Sequence, residues 1–443
     1  MSGGLKRTLG PVMLWGLGVG YVISGEYFGW NLGLPVGGTY GMLAATLVIT
    51  VMYVAFILSY TELACAIPKA GGAFVYGARA LGPFGGFIAG LVQVVEFVFA
   101  PPAIAMAIGA YVQQRHPSVD PEHAAIAAYF VFTAINAAGV RLAATFELVV
   151  TVLAVAELLL FMAVVAPEFS VANLHKDPLP NGWGGAFGAL PFAIWFYLAI
   201  EGVANAAEEA KHPQRDVARG FTAAILTLVA LALGVFFVAV GVDGWHTIVF
   251  PPGSTEASDA PLPLALAKVV QRDSWLFSTL LLIGLFGLIA SFHGIILAAA
   301  RATMELGRAR FFPSILGVIN VRTGTPIFAL LANLTVGIVA IRSGRTGEII
   351  TLACFGALAL YILSMISLFI LRRTDPELER PYRAVGYPVL PGLALGIAAV
   401  SLVAVTIYNP RIAAVFFAIL GAGALYYALW VRPRLGPGWR YEG

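Results

Sequence analysis

Charge is scarce in this sequence. Only 11% of its 443 residues are Asp, Glu, Lys or Arg, against about 25% in a soluble domain, which excludes an ordinary cytosolic enzyme. Apolar residues make up 60% of the chain and the mean hydropathy is +0.88, so a disordered chain is excluded as well. Basic tracts are absent and nothing points to nucleic acid. There are two cysteines, Cys65 and Cys354, each in an apolar run without CxxC spacing or a histidine cluster, so they read as packing residues rather than a metal or redox pair. No HExxH or GxSxG string marks a hydrolase. Low-complexity segments, short repeats and any stretch fit for a separate soluble or signalling domain are missing too. No enzyme, cofactor or metal is expected. What remains is an all-α integral membrane protein, with residues 1–443 as a single membrane domain.

Continuous apolar runs occur at 11–37, 40–66, 83–113, 123–140, 142–167 and 186–210. They continue at 218–242, 274–307, 325–342, 346–371, 387–408 and 411–431. Barrel strands would alternate apolar and polar residues over about ten positions; these runs do not, which predicts about twelve transmembrane helices. The start, MSGGLKRTLGPVMLWG, is positive, but its apolar stretch outruns a signal sequence and has no A-x-A site, so it is expected to be the first span, retained. The longest connection, 243–273, holds PPGSTEASDAPLP and reads as a loop with a short helix near Leu264–Val270. With the N-terminus inside, 19 of the 26 Lys and Arg fall on the cytoplasmic side. The positive-inside rule then predicts both termini in the cytoplasm, in the cell inner membrane.

Two spans are damaged. The first reads GLGVGYVISGEYFGWNLGLPVGG and the sixth GALPFAIWFYLAIEGVANAAEEAKHP. Glycine weakens helices, and a mid-membrane glutamate costs several kcal/mol. Glycine-interrupted spans at matching positions in two halves point to the binding site of an inverted-repeat transporter. Five spans per repeat, an odd number, would turn the second copy upside down, giving repeats at 10–167 and 186–371 and two added helices within 387–431.

The spans also contain Glu26, Glu62, Glu96, Glu147, Glu157, Glu201 and His293, with no Lys or Arg in mid-span. A buried carboxylate without a cationic partner takes a proton or awaits a cation. The protein supplies none, so the arithmetic favours a positively charged solute, with H+ or Na+ as a coupling ion. Glu62 and Glu147 lie near span ends and are expected to reach the interface. Glu26, Glu96 and Glu201 carry the most weight, followed by Glu157. Trp195, Phe196 and Tyr197 precede the expected break in span six, while Tyr27, Phe28 and Trp30 follow that in span one. Aromatic faces attract ammonium groups by about 0.5–2 kcal/mol.

Four motifs occur in order: TELACAIPKAGGAFVYGARALGPFGGFIAG (61–90), AEEAKHPQRDVARG (207–220), RATMELGRARFFPSILGVINVRTGTP (301–326) and RPYRAVGYPVLP (380–391). Over residues 10–430 the chain resembles the amino acid–polyamine–organocation superfamily. Within it, SGEYFGWN, VEFVFAPPAIA, YLAIEGVANAAEE and LFGLIASFHGII look like the ethanolamine permeases. The resemblance implies a leucine-transporter-type fold with helices 1 and 6 broken. It places Trp195 at an aromatic gate, Ala199 at the span-six break, Glu201 toward the outer side and Glu96 among substrate-facing positions. Carriers of amino acids in this superfamily usually have a glycine-serine-glycine break that receives the substrate carboxylate. Here the stretch is Ser24-Gly25-Glu26, and Glu26 would repel a carboxylate. The span-five lysine of proton-coupled relatives falls near Leu153–Ala154, where no lysine stands, leaving Glu157, His293 or Glu96 as coupling candidates.

The expectation is a secondary transporter that imports a small organic amine without a carboxylate, ethanolamine foremost, as a monomer or homodimer. Its substrate site comprises Ser24, Gly25, Glu26, Tyr27, Glu96, Trp195, Tyr197, Ala199, Glu201 and His293. Glu26 and Glu96 would form the anionic part under Trp195 and Tyr197, with Glu201 and Tyr27 gating the outer path. An amino acid or polyamine carrier or exchanger is the alternative; a diamine would need two acidic subsites.

Overall fold

A computed structural model describes residues 7–69, 71–139 and 143–436, with backbone only at 143 and 144. Lys6, Arg141 and Arg440 of the charge tally, Ala70 of the first motif, and Val140 and Leu142 at expected span edges lie outside them. The described residues are helical, with one isolated bridge, Leu9 with Ala210. We number the main helices α1 (Pro11–Val22), α2 (Leu34–Ala66), α3 (Ala73–Arg115), α4 (Pro121–Ala138), α5 (Ala143–Val165) and α6 (Leu190–Trp195). The others are α7 (Pro213–Gly241), α8 (Trp275–Arg308), α9 (Ile327–Ile341), α10 (Thr346–Thr374), α11 (Val389–Tyr408) and α12 (Pro410–Tyr426).

Among the described residues, nine helical segments are long and apolar enough to cross a bilayer. α1 and α9 are apolar but shorter, and α4, of 18 residues, stands outside both groups. Two helices run through expected boundaries and show why those boundaries exist. α3 spans 43 residues, about 65 Å at 1.5 Å per residue, roughly twice a hydrocarbon core. Gly82, with φ 74°, bends it, so 73–81 is a separate arm and the crossing starts at Pro83, where the apolar run begins. Gly38, with φ 64°, likewise divides the end of the first span from the second. A β-carbon at Gly38 would lie 2.4 Å from the Pro178 carbonyl oxygen, so only glycine lets the 169–183 loop pack there. The 243–273 connection carries helices at Trp245–Val249 and Pro261–Leu266, the second ending where a helix near Leu264–Val270 was expected.

Packing sorts the helices. α3 packs along α10 and α8, and α1 lies between α5 and α7. α5 turns Val149, Val152, Leu153, Leu159 and Leu160 outward, and α12 exposes Val415, Phe417, Leu425 and Leu429. In water such faces would be liabilities; in a bilayer they are the ordinary outer surface. Polarity is instead concentrated inside, the reverse of a soluble domain.

Each face of the bundle is closed by its own polar contacts. At the N-terminal face, Thr8 and Leu9 donate backbone N–H groups to the Glu209 carbonyl at 2.9 and 3.0 Å, and Lys211 N–H returns to the Leu9 carbonyl at 2.8 Å. Arg301 meets Glu209 at 3.4 Å. On the same face Glu62 does not reach the interface as expected. It is 1% exposed and accepts from Arg372 Nε at 2.7 Å, Arg372 Nη2 at 2.5 Å and Ala384 N–H at 2.7 Å, with Arg380 Nε at 3.2 Å. Its cations come from the end of α10 and the loop after it, a pairing across some 300 residues that linear order conceals.

Candidate functional site

Both damaged spans are broken in the structure. Span one is interrupted at Ile23, where α1 ends and a separate single turn, Ser24–Tyr27, begins, so Ser24-Gly25-Glu26 lies between two irregular points. Phe28 is extended and Gly29 has φ 89° before a 3-10 turn, Trp30–Gly33. The irregular stretch therefore extends past Ser24-Gly25-Glu26 to Gly29. Asn31 seals the corner: its Oδ1 accepts from Gly29 N–H at 3.0 Å and its Nδ2 donates to the Ser258 carbonyl at 2.8 Å. Trp30 Nε1 donates to the Glu26 carbonyl at 3.2 Å, taking up an oxygen that the broken helix leaves free. In span six, Ala199 adopts a left-handed conformation with φ 76°, followed by ten 3-10 residues, Ile200–Glu209. Such runs rarely exceed three or four residues, and a left-handed alanine is strained. The strain coincides with the site.

The breaks touch. A β-carbon on Gly25 would lie 2.4 Å from the Trp195 carbonyl oxygen, and one on Gly29 would lie 2.4 Å from Trp195 Cδ1. Phe28 meets Trp195 edge-on at 5.4 Å, and Trp30 stacks on Phe196 at 5.7 Å. Gly29→Ala therefore adds a clash to a positive φ, whereas Gly253, with φ 77°, has open space around the same β-carbon. Comparing the melting temperatures of Gly29→Ala and Gly253→Ala in detergent isolates the clash. The first should lose about 1–3 kcal/mol more, and equal losses would mean Trp195 yields freely.

Around this junction the acids form two centres. At the first, Glu26 is fully buried and neither carboxyl oxygen receives a hydrogen bond from the described residues. The adjacent Gly25 packs on the Trp195 backbone, and Trp195 Nε1 is also without an acceptor among the described residues. At the second, Glu96 and Glu201 are mutual electrostatic neighbours. Tyr361 donates to Glu201 Oε2 at 3.2 Å, and the two carboxyls lie close enough to share one hydrogen between them. Tyrosines connect the centres: Tyr197 lies 5.1 Å from Tyr53, whose hydroxyl meets that of Tyr361 at 2.9 Å. Both carboxyl oxygens of Glu26 thus stand buried and unpaired among the described residues, each needing a proton, water or ligand.

Other expectations divide. Tyr27 and Glu201 do not meet; Tyr27 donates instead to Glu157 Oε2 at 2.6 Å, and Glu201 belongs with Glu96. Ser24 bonds Ser291 at 2.8 Å, and Ser291 donates to the Tyr21 carbonyl at 2.7 Å, tying α8 to span one. His293 lies apart, held by Asn136 at 3.0 Å and edged by Phe132 and Phe146. Leu153 faces outward and is half exposed, so the residues that α5 turns toward α1 are Glu147 and Thr151. A β-carbon on Gly20 would lie 2.5 Å from Glu147 Oε1, and Thr151 donates to the Gly16 carbonyl at 3.1 Å. Glu147 is therefore buried, not interfacial. Sequence reasoning underrated it because its distance from a predicted span end hides which helices cover it.

The face opposite the N-terminus opens into a vestibule of about 660 Å³ lined by Leu32, Gln113, Glu256, Asp259 and Thr346. Asp259 accepts from Thr346 at 2.7 Å. Burial pushes its carboxyl up to about 6, against the pull of that hydrogen bond. A raised carboxyl favours the protonated form in the fold, so its share of stability is complete below the unfolded value and is lost as pH rises through about 6. The melting temperature of the wild type relative to Asp259→Asn should fall over that range; a constant difference would place Asp259 in contact with solvent.

By sequence the chain is similar to membrane permeases and transporters. The profile of the amino acid permease family matches residues 9–439. An uncharacterized transporter of Rhizobium meliloti (strain 1021) is 28% identical over 85% of this chain and 82% of its own length. The branched-chain amino acid permease of Bacillus subtilis (strain 168) is 25% identical over 88% of this chain and 86% of its own. The methylthioribose transporter of the same organism is 25% identical over 89% and 88%.

Proposed function

This chain belongs to the amino acid permease family, and from that premise we propose that it is a secondary transporter for a small organic amine without a carboxylate, ethanolamine foremost. The observation that carries this reading is Glu26: a buried carboxylate, on the segment of span one that packs against Trp195, with no hydrogen-bond donor among the described residues. An ammonium group supplies what Glu26 lacks, in charge and in hydrogen bonds, and the Trp195 face adds to it. A substrate carboxylate at the same point meets repulsion in a medium that screens poorly. The family is not confined to amino acids by name, since one relative is called a methylthioribose transporter.

We read the membrane arrangement as twelve spans in two inverted halves, 10–167 and 186–371, with 387–431 added and both termini in the cytoplasm. The two contacting breaks and the charge bias support it. On this reading the vestibule faces outward and the Leu9–Ala210 bridge ties the inward side, as one stage of alternating access would require. Ser24 and Gly25 set the wall on span one, Ala199 turns the wall on span six, and coupling to H+ is the reading developed below.

A second reading is favoured by the Glu96–Glu201 centre. With Glu26 at the other end of the tyrosine row, a diamine would find two acidic subsites. The experiment is competition against labelled ethanolamine uptake in proteoliposomes, using methylamine, putrescine, alanine and arginine. The amine reading expects methylamine to compete and alanine not to. Strong competition by putrescine alone selects the diamine, and competition by alanine overturns the absence of a carboxylate.

A further inference from the structure

Tyr27 carries a hydroxyl with one hydrogen and two acceptors. It lies 2.6 Å from Glu157 Oε2 and 3.0 Å from the Ala154 carbonyl oxygen. One hydrogen cannot serve both at once. When Glu157 is ionised, the hydrogen goes to the carboxylate, and 2.6 Å suits such a charge-assisted bond. When Glu157 is protonated, its own hydrogen points to the Tyr27 oxygen and the phenol hydrogen turns to Ala154. In both states the phenol and the carboxyl stay bonded to each other, without movement of a heavy atom.

A crevice about the size of one water lies beside this group. Glu157 and Tyr111 line it together with Phe161, Leu262, Leu266 and Phe277, on the face of the 243–273 loop. Tyr27 and Tyr111 are the titratable groups against Glu157, and Glu26 is next along the chain from Tyr27. No cationic side chain lines the crevice. Apart from Glu157 and Tyr111 its walls are apolar, and a proton needs only the carboxylate.

We propose that the Glu157–Tyr27–Ala154 triad is the binding site of a coupling proton that enters by this crevice, separately from the amine. The step is a plain proton transfer: an O–H bond of a crevice hydronium breaks, an O–H bond forms on Glu157, and water is left behind. Uptake replaces a charge-assisted bond between spans one and five by a neutral bond, about half as strong. Tyr27 cannot swing aside to compensate, because a β-carbon on Gly287 of α8 would already lie 2.7 Å from its ring; α8 holds it. The weakened tie therefore acts on the backbone of the broken segment, 28–33, next to Glu26. By linkage, the amine must alter proton affinity by the same factor.

This inference rests on the amine reading, and two measurements separate their failures. The first needs no substrate: the infrared difference spectrum of purified protein between mildly acidic and mildly alkaline buffer. It should contain a carboxylic C=O band that Glu157→Gln removes and Tyr27→Phe shifts; no such band in the wild type overturns the proton site. The second uses ethanolamine in proteoliposomes. A pH difference of about one unit can drive about tenfold accumulation at one proton per amine. Glu157→Gln should reduce that ratio to one while keeping counterflow exchange within about threefold. Full gradient-driven accumulation in the variant overturns the proposal, as does loss of counterflow in protein that remains monodisperse, which would put Glu157 in the amine site. If wild-type protein shows the band but does not move ethanolamine, the substrate reading fails and the proton site stands.

Discussion

Glu26→Gln is expected to lower amine affinity at least about a hundredfold and to leave the protein folded. The amide keeps the volume and planar shape of the side chain and removes only the charge. Losing one partner of a desolvated, hydrogen-bonded ion pair costs about 2–5 kcal/mol, and about 2.7 kcal/mol is a hundredfold. The folded protein without amine gains, because a fully buried carboxyl without donors is replaced by a group that cannot ionise. Titration calorimetry with ethanolamine checks the first half and a melting curve in detergent the second. Undiminished affinity would remove Glu26 from the site, and a large drop in melting temperature would make it a packing residue.

Glu62→Gln should act on the opposite property. Glu62 carries no part of the proposed site, yet it neutralises two arginines in a nearly dry cluster. Arg372 also lies 4.1 Å over the Tyr387 ring, and Arg380 Nη1 and Nη2 reach four carbonyl oxygens of the 371–378 stretch, so neither can leave easily. Breaking a buried pair from one side costs about 3–5 kcal/mol. The melting temperature should fall steeply and the loss should persist in high salt, since buried pairs are weakly screened. A variant that melts like the wild type would show that water reaches the cluster.

How much of this was legible in the chain depends on range. Helix character and most span limits are local properties of apolar runs, and the structure places breaks near both damaged spans. Ala199 takes the left-handed turn where the family resemblance implied one; span one is interrupted on both sides of Ser24–Tyr27, at Ile23 and at Phe28–Gly29, and of these only Gly29 takes a positive φ. Partners were illegible. Glu62 with Arg372, Tyr27 with Glu157, Glu96 with Glu201 and His293 with Asn136 are each joined through tertiary packing across long stretches of sequence. The glutamates could be counted as lacking mid-span cations, but which of them share a centre is set by helix rotation and neighbours. Glu147 shows the limit: its depth depends on glycines of two other helices, Gly20 and Gly294.

The short pairing of Thr8 and Leu9 with Glu209 and Lys211 has a mechanical consequence. It fastens the leading end of the first span to the trailing end of the sixth by three backbone hydrogen bonds, independent of any side chain. The two segments that meet at the site are thereby also clamped at one edge, like the two arms of tongs joined at the rivet. Opening at that edge must either carry both arms together as one lever or peel the bonds apart, and no single point substitution, other than one to proline, removes a bond made by the main chain.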